Sequence, residues 1–344
     1  MSSKPSAGRV VYLDVLRLLC SFLVIVNHTY DYVRLSEASA LTRLAAFSSM
    51  SFAKIAVPIF LMISGCTLLT KEDDLKKTCS RILRVGLALI VFSFVYEVYR
   101  FAEGQLPSLS IKRFLLSIYE QHTTTAFWYL YAYLGLLLSL PFLQKLAHAL
   151  HTRDFLLYFG ISFFFSGFWP LVVEYTSMSA YNEQFTLPLF GSMMSYMLLG
   201  YFLYTRPVKH LPSALYIAVP AASALLCGFV TSRAYVATGG MRYLFLDNIS
   251  LLPTIVSTIC IFCLFMRLSL PERAARCVKK LGAASFGVYL MADLFIQLLF
   301  PLCAFLRTQM PAFAAVMLYQ IAVWLVSISC ALIMRRIPLL NKLL

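Results

Sequence analysis

Residues 11–33 read VYLDVLRLLCSFLVIVNHTYDYV, an apolar run long enough to cross a bilayer that also carries Asp14, Arg17 and His28. About 20 apolar residues make a spanning helix, and ionisable groups inside one are costly enough to need a reason. Their spacing supplies one. Arg17 and His28 are eleven residues apart, so on an α-helix they differ by only about 20° in azimuth and lie about 16 Å apart along the axis. One helix face would then carry a permanent cation towards one membrane surface and a titratable imidazole towards the other. Asp14 precedes Arg17 by one turn and can pair with it. The plainer alternative is that Asp14 and Arg17 snorkel to the interface while His28 caps the far end of the helix.

The rest of the chain puts this segment in a membrane protein. Its 344 residues are 60% hydrophobic and 13% charged, with a mean hydropathy of +0.79. Soluble domains carry roughly 25% charged residues, so the composition fits an all-α, polytopic integral membrane protein. The net charge of +14 is scattered between apolar spans rather than gathered on a face, which speaks against nucleic acid as a partner. Of the nine cysteines, Cys260 and Cys263 form a CxxC inside an apolar run with no nearby histidine or acid, so no metal site or disulfide framework is indicated. The first segment is long and contains Arg17, and it is expected to stay as a helix rather than be removed as a signal peptide.

Ten apolar spans are predicted, at roughly 11–33, 50–70, 85–101, 125–146, 155–175, 186–205, 213–231, 248–267, 283–302 and 314–334, the third and ninth short or broken. Residues 107–122 are too short to span and read as an amphipathic surface segment. No repeat or long linker interrupts the series, so residues 1–344 are expected to form one domain. With the N-terminus inside, the inner segments hold 19 basic residues and the outer ones 9. That bias predicts both termini in the cytoplasm, with Arg17 in the cytoplasmic half of its helix and His28 in the outer half.

Further residues carry potential chemistry. In VPIFLMISG (57–65) Pro58 is expected to kink the second span, and Ser64-Gly65 to permit close packing or a backbone break. Arg81 and Arg84 share a face where the third span begins; such a pair suits phosphate oxygens, of a nucleotide-like ligand or of anionic lipid headgroups. Trp128, Tyr129, Tyr131 and Tyr133 are expected at the outer interface, as an aromatic belt or as flat faces for a sugar. Glu97, Glu120, His122, Glu174, Asn182 and Glu183 read as solvated outer residues. Asp31, one turn beyond His28, is placed to orient its imidazole or simply to be exposed. Asp293 is an intramembrane acid without an evident partner, and is therefore a functional candidate.

Together these stretches resemble the acyltransferase-3 family of bacterial integral membrane acyltransferases, over essentially the whole chain. The likeness rests on YLDVLRLLCSFLVIVNH with its Arg-x10-His spacing, VPIFLMISG, SRILRVGL with Arg81 and Arg84, FWYLYAYLGLLLSLPFL, GYFLY, and ASFGVYL. In length and layout it is most similar to the enterobacterial common antigen O-acetyltransferase branch. One position departs: three residues after Tyr289, where the family often has histidine, stands Ala292, with Asp293 next. The resemblance implies a ten-helix enzyme of the bacterial inner membrane that takes an acyl group from cytoplasmic acyl-CoA, acetyl-CoA above all, to a hydroxyl of a cell-surface or lipid-linked glycan.

That chemistry assigns roles. A sugar hydroxyl is a poor nucleophile and a thioester is already activated, so the need is a base near both; histidine, with an ordinary pKa of about 6.5, suits it. His28 is the expected base, with Arg17 and Asp14 beside it on the same helix. Arg81 and Arg84 would hold the donor's phosphates, while Trp128 and Tyr129 would contact the acceptor. The competing readings are a transporter or exporter of a lipid-linked glycan or small anion, and a structural subunit of a polysaccharide assembly. Membrane lipids surround the protein in every case, and an oligomer is compatible with the sequence.

Overall fold

The computed structural model describes residues 10–71, 74–120, 123–176, 190–206, 211–239 and 249–344, and no strand occurs among them. The helices in chain order are α1 (Val11–Asn27), α2 (Ala40–Ala53), α3 (Ala56–Ser64), α4 (Leu75–Ala102), α5 (Ile111–Glu120), α6 (Trp128–Leu138), α7 (Leu140–Ala149), α8 (Thr152–Phe163) and α9 (Trp169–Thr176). They continue with α10 (Ser192–Thr205), α11 (Ser213–Thr238), α12 (Leu252–Met266), α13 (Glu272–Gly282), α14 (Ser285–Leu298), α15 (Phe300–Gln309), α16 (Ala312–Met334) and α17 (Pro338–Asn341).

Among the described residues, five continuous helical stretches are long and apolar enough to cross a membrane: 40–69, 75–102, 152–174, 213–238 and 312–334. Two bent pairs, α6 with α7 and α13 with α14, raise that number to seven. The other expected spans fall on helices below full crossing length, including α1 with 17 residues and α12 with 15. At 1.5 Å per residue, 17 residues rise only about 26 Å. The lipid-facing sides are recognisable: Leu83, Leu87, Ile90 and Phe94 of α4 and Leu225, Leu226 and Phe229 of α11 are all exposed. An apolar helix face is stable in that position only against hydrocarbon or another protein surface.

Several local expectations change. The third span is neither short nor broken, because the polar LKKTCSR start extends α4 to 28 residues. The fourth bends by 62° between α6 and α7. Pro141 sits in the first turn of α7, where its missing N–H costs that helix no hydrogen bond but leaves the preceding helix unable to continue through it. Pro58 lies in the first turn of α3, and the helix is interrupted at residues 54–55 just before it, within the stretch 40–69, where proline removes the bond to the fourth residue back. The helical segment before it starts at residue 40, earlier than the apolar run, because Ser39 caps it by accepting from Thr42 N–H at 3.2 Å.

α1 is the centre of the packing, touching α2, α3, α12, α13, α14 and α16. Its Asp14 is fully buried, and Gly282 is what lets α13 approach: a Cβ there would lie 2.8 Å from Asp14 Cβ. A second close approach joins α3 to α10. A Cβ on Gly65 would meet Met197 O at 1.8 Å, and one on Gly200 would meet Met62 O at 2.1 Å. Ser64-Gly65 is therefore the packing seam of its two expected roles; the π-helical turn at Gly65–Leu69 widens the helix there without breaking it.

Candidate active site

The site grows from the two ends of α1. Arg17 Nη1 donates to Asp14 Oδ1 at 2.6 Å, the carboxylate fully buried and the guanidinium partly exposed. The buried carboxylate thus anchors the guanidinium while leaving part of it open to a cavity. At the other end α1 stops at Asn27, and His28 is its C-cap residue; the His28 N–H donates to Val24 O and Ile25 O, each at 3.2 Å. His28 therefore does cap the helix, as the plainer reading held, and its side chain also lines a cavity.

A cavity of about 310 Å³ opens beside Arg17. Its walls come from α1, from α3 with its π turn (Phe60, Ser64, Thr67), from α4 (Arg81, Arg84), from α6 (Tyr129, Tyr133) and from α14 (Ser285, Phe286, Tyr289). Arg17, Arg81 and Arg84 are thus brought together by two helices far apart in sequence, α1 and α4. No carboxylate is among the described residues of that lining. Arg84 additionally donates to Leu344 O and, from Nε, to Leu343 O at 3.5 Å, so it also fastens the end of the chain. Three guanidinium groups on one low-dielectric wall favour an anion, and each charge-assisted hydrogen bond to one is worth about 1.5–3 kcal/mol.

The second cavity, of about 710 Å³, lies at the His28 end. Asn27 and His28 line it together with Lys54, Thr125, Trp128, Ser192 and Ser250. Lys54 was not singled out from the sequence, where it counts among the outer basic residues. It is buried at the turn between α2 and α3. The signal was there: a lysine embedded in SFAKIAVP, flanked on both sides by apolar residues, is not an ordinary loop charge.

Two side chains, Tyr129 and Tyr289, line both cavities. Their rings meet edge to face, centroids 5.8 Å apart. The aromatic run of α6 is therefore not an outer belt. Trp128 faces the histidine cavity, Tyr129 both, and Tyr133 the arginine cavity, while Tyr131 donates to Ile118 O of α5 at 2.8 Å. α5 packs on α4 through Phe114 and Phe94, with no residue of its own buried.

α14 fixes this arrangement from one face. Tyr289 donates its hydroxyl to Ala126 O, and one turn further on Asp293 Oδ2 accepts from Thr124 Oγ1. The sequence offered no partner for Asp293; it is Thr124, and the pair fastens the stretch leading into α6. Ala292 faces elsewhere, buried in an apolar cluster with Ile25, Ile296 and Tyr319, and lines neither cavity. One acid differs from expectation: Glu97 is buried within α4 rather than solvated. Asp31 takes the simpler of its two readings, exposed in the 3₁₀ turn Tyr30–Val33 and not lining the histidine cavity. Glu120 and Glu174 are exposed, whereas His122, Asn182 and Glu183 lie outside the described residues.

The fold and this geometry define an integral membrane protein with a site buried in its helix bundle, basic at one end and bearing an imidazole at the other. The acyltransferase-3 family model, an acyltransferase domain, matches residues 10–335, and the chain belongs to that family of membrane acyltransferases. No curated protein and no solved structure matches the chain significantly.

Proposed function

We propose that the protein is an acyl-CoA-dependent O-acyltransferase, in the first instance an O-acetyltransferase akin to the enterobacterial common antigen branch. It moves the acyl group from cytoplasmic acetyl-CoA to a hydroxyl of a cell-surface or lipid-linked glycan, in the bacterial inner membrane. In this reading the chain crosses ten times, with both termini cytoplasmic, the arginine cavity opening inwards and the histidine cavity outwards. The observation that carries it is the pair of cavities at opposite ends of α1, three arginines in one and His28 in the other, meeting at Tyr129 and Tyr289.

The residues fit the donor's chemistry. A polyanionic nucleotide is stabilised by Arg17, Arg81 and Arg84, whose cavity is too narrow for the whole of coenzyme A but suits its slender pantetheine arm. The acceptor hydroxyl oxygen attacks the thioester carbonyl carbon while His28 takes its proton. The new C–O bond forms, the C–S bond breaks, and the departing thiolate leaves as the thiol once the proton is returned. Asp14 holds Arg17 in place, and the flat Trp128 ring offers a face for a sugar in the histidine cavity. Membership of an acyltransferase family favours this reading over a transporter.

Membranes containing the protein, incubated with acetyl-CoA radiolabelled in the acetyl group, test it. Covalent label on extractable glycan is expected. Absence of label from every glycan fraction, at an expression level where the protein is folded, would overturn the proposal.

A further inference from the structure

The two cavities have two lining residues in common, both tyrosines. Tyr129 and Tyr289 are lining residues of both the arginine and the histidine cavity, so whatever passes from one to the other passes their rings. An edge-to-face contact with centroids 5.8 Å apart leaves no alkyl-wide gap between them. Neither ring is loosely held. Tyr289 is pinned by its hydroxyl to Ala126 O and lies against Phe286 and Phe127, at 6.5 and 6.4 Å between centroids. Tyr129 stacks on Tyr133 at 5.7 Å and meets Phe60 at 6.5 Å. Their anchors come from α3, α6, α14 and the 3₁₀ turn at Thr125–Phe127, so displacing either ring disturbs several packed elements at once.

We propose that Tyr129 and Tyr289 set the acyl-chain length this enzyme transfers, acting as a fixed partition that lets a short acyl group reach the acceptor and obstructs a longer one. This rests on the acyl-CoA reading above. With the pantetheine arm arriving from the arginine side, the thioester carbonyl must stand at the partition to be within reach of a hydroxyl in the histidine cavity. An acetyl group adds one methyl beyond that carbonyl. Each further methylene has to lie against a ring that cannot retreat, and one methylene in a shaped apolar pocket is worth roughly 10–200-fold in discrimination.

The test uses the full-length protein in native membranes, with acetyl-CoA, butyryl-CoA and hexanoyl-CoA labelled in the acyl group. Label on glycan gives transfer, and thiol release without label on glycan gives hydrolysis. The wild type is expected to favour acetyl over butyryl by about 100-fold or more in kcat/KM. Tyr129→Leu and Tyr289→Ala should each raise the butyryl-to-acetyl ratio at least about tenfold. Tyr289→Phe, which keeps the ring and loses its tether, should move the ratio less. Val85→Ala, at a position that lines the arginine cavity alone, should leave the ratio where it was, whatever it does to donor KM. If Tyr289→Ala does not fold, Tyr129→Leu decides. A wild type that transfers butyryl as readily as acetyl, or an unchanged ratio in the folded partition variants, overturns the proposal alone. Failure of the wild type to transfer any acyl group from coenzyme A overturns the functional reading beneath it.

Discussion

His28 carries the sharpest consequence at the scale of single residues. It ends α1 through its backbone and lines the larger cavity through its side chain, so removing the imidazole leaves the cap intact. His28→Ala is expected to fold, to bind donor normally and to lose about 10²–10⁴ in acyl transfer, the usual worth of a positioned base. Glycan labelling at matched expression checks this, and near-normal transfer would remove His28 from the mechanism. Arg81 and Arg84 make a different prediction, because phosphates are remote from the reacting carbonyl. Alanine at either should raise the acyl-CoA KM by roughly ten- to a hundred-fold with a smaller effect on kcat, and lysine should rescue only in part because it loses the planar fork. If these arginines served only lipid headgroups, coenzyme A titration into the alanine variants would give wild-type affinity. Arg84→Ala alone should also lower thermal stability, since only Arg84 of the two holds the carbonyls of Leu343 and Leu344.

Among the elements, α14 does the positioning. Tyr289 and Asp293 stand one turn apart and grip Ala126 and Thr124, so the stretch that delivers Trp128 and Tyr129 is fastened at two points. Tyr96 of α4 braces the same turn, donating to Leu290 O at 3.2 Å and accepting from Leu294 N–H at 2.9 Å. A clamp of this kind predicts coupling. Asp293→Ala and Thr124→Val should each lower transfer, and their double mutant should be no worse than the poorer single one. The expected interaction energy is about 1–3 kcal/mol in a double-mutant cycle on stability, the range for groups in direct contact. Strictly additive losses would show that Asp293 acts elsewhere. Asp293→Asn, which keeps an acceptor oxygen, should retain more activity than alanine.

For the whole molecule the testable claim is topology. α11 is 26 residues of largely apolar helix ending at Thr238, with Gly239 closing it in a left-handed conformation at φ 67°. On the proposed ten-span topology, which follows the bias of 19 basic residues against 9, the end of α11 is expected outside and Leu344 inside. Compartment-sensitive reporters fused after Gly239 and after Leu344 should therefore give opposite signals. The same signal from both would sink the ten-span arrangement.

The all-helical membrane class, the Asp14–Arg17 pair and the shared face of Arg81 and Arg84 were legible in the chain itself. Helical periodicity and the cost of burying charge are local rules, and they act on residues near one another in sequence. A run of apolar residues was equally readable, but not which side of a helix faces a cavity: Tyr129, Tyr131 and Tyr133 look alike in sequence and have three different surroundings. Glu97 and Lys54 were misread for the same reason, since burial depends on which other helix covers a position. Only the tertiary structure could join Tyr289 to Ala126 and Asp293 to Thr124, because partners more than 160 residues apart meet through packing of α14 against the start of α6, and no local pattern encodes that meeting.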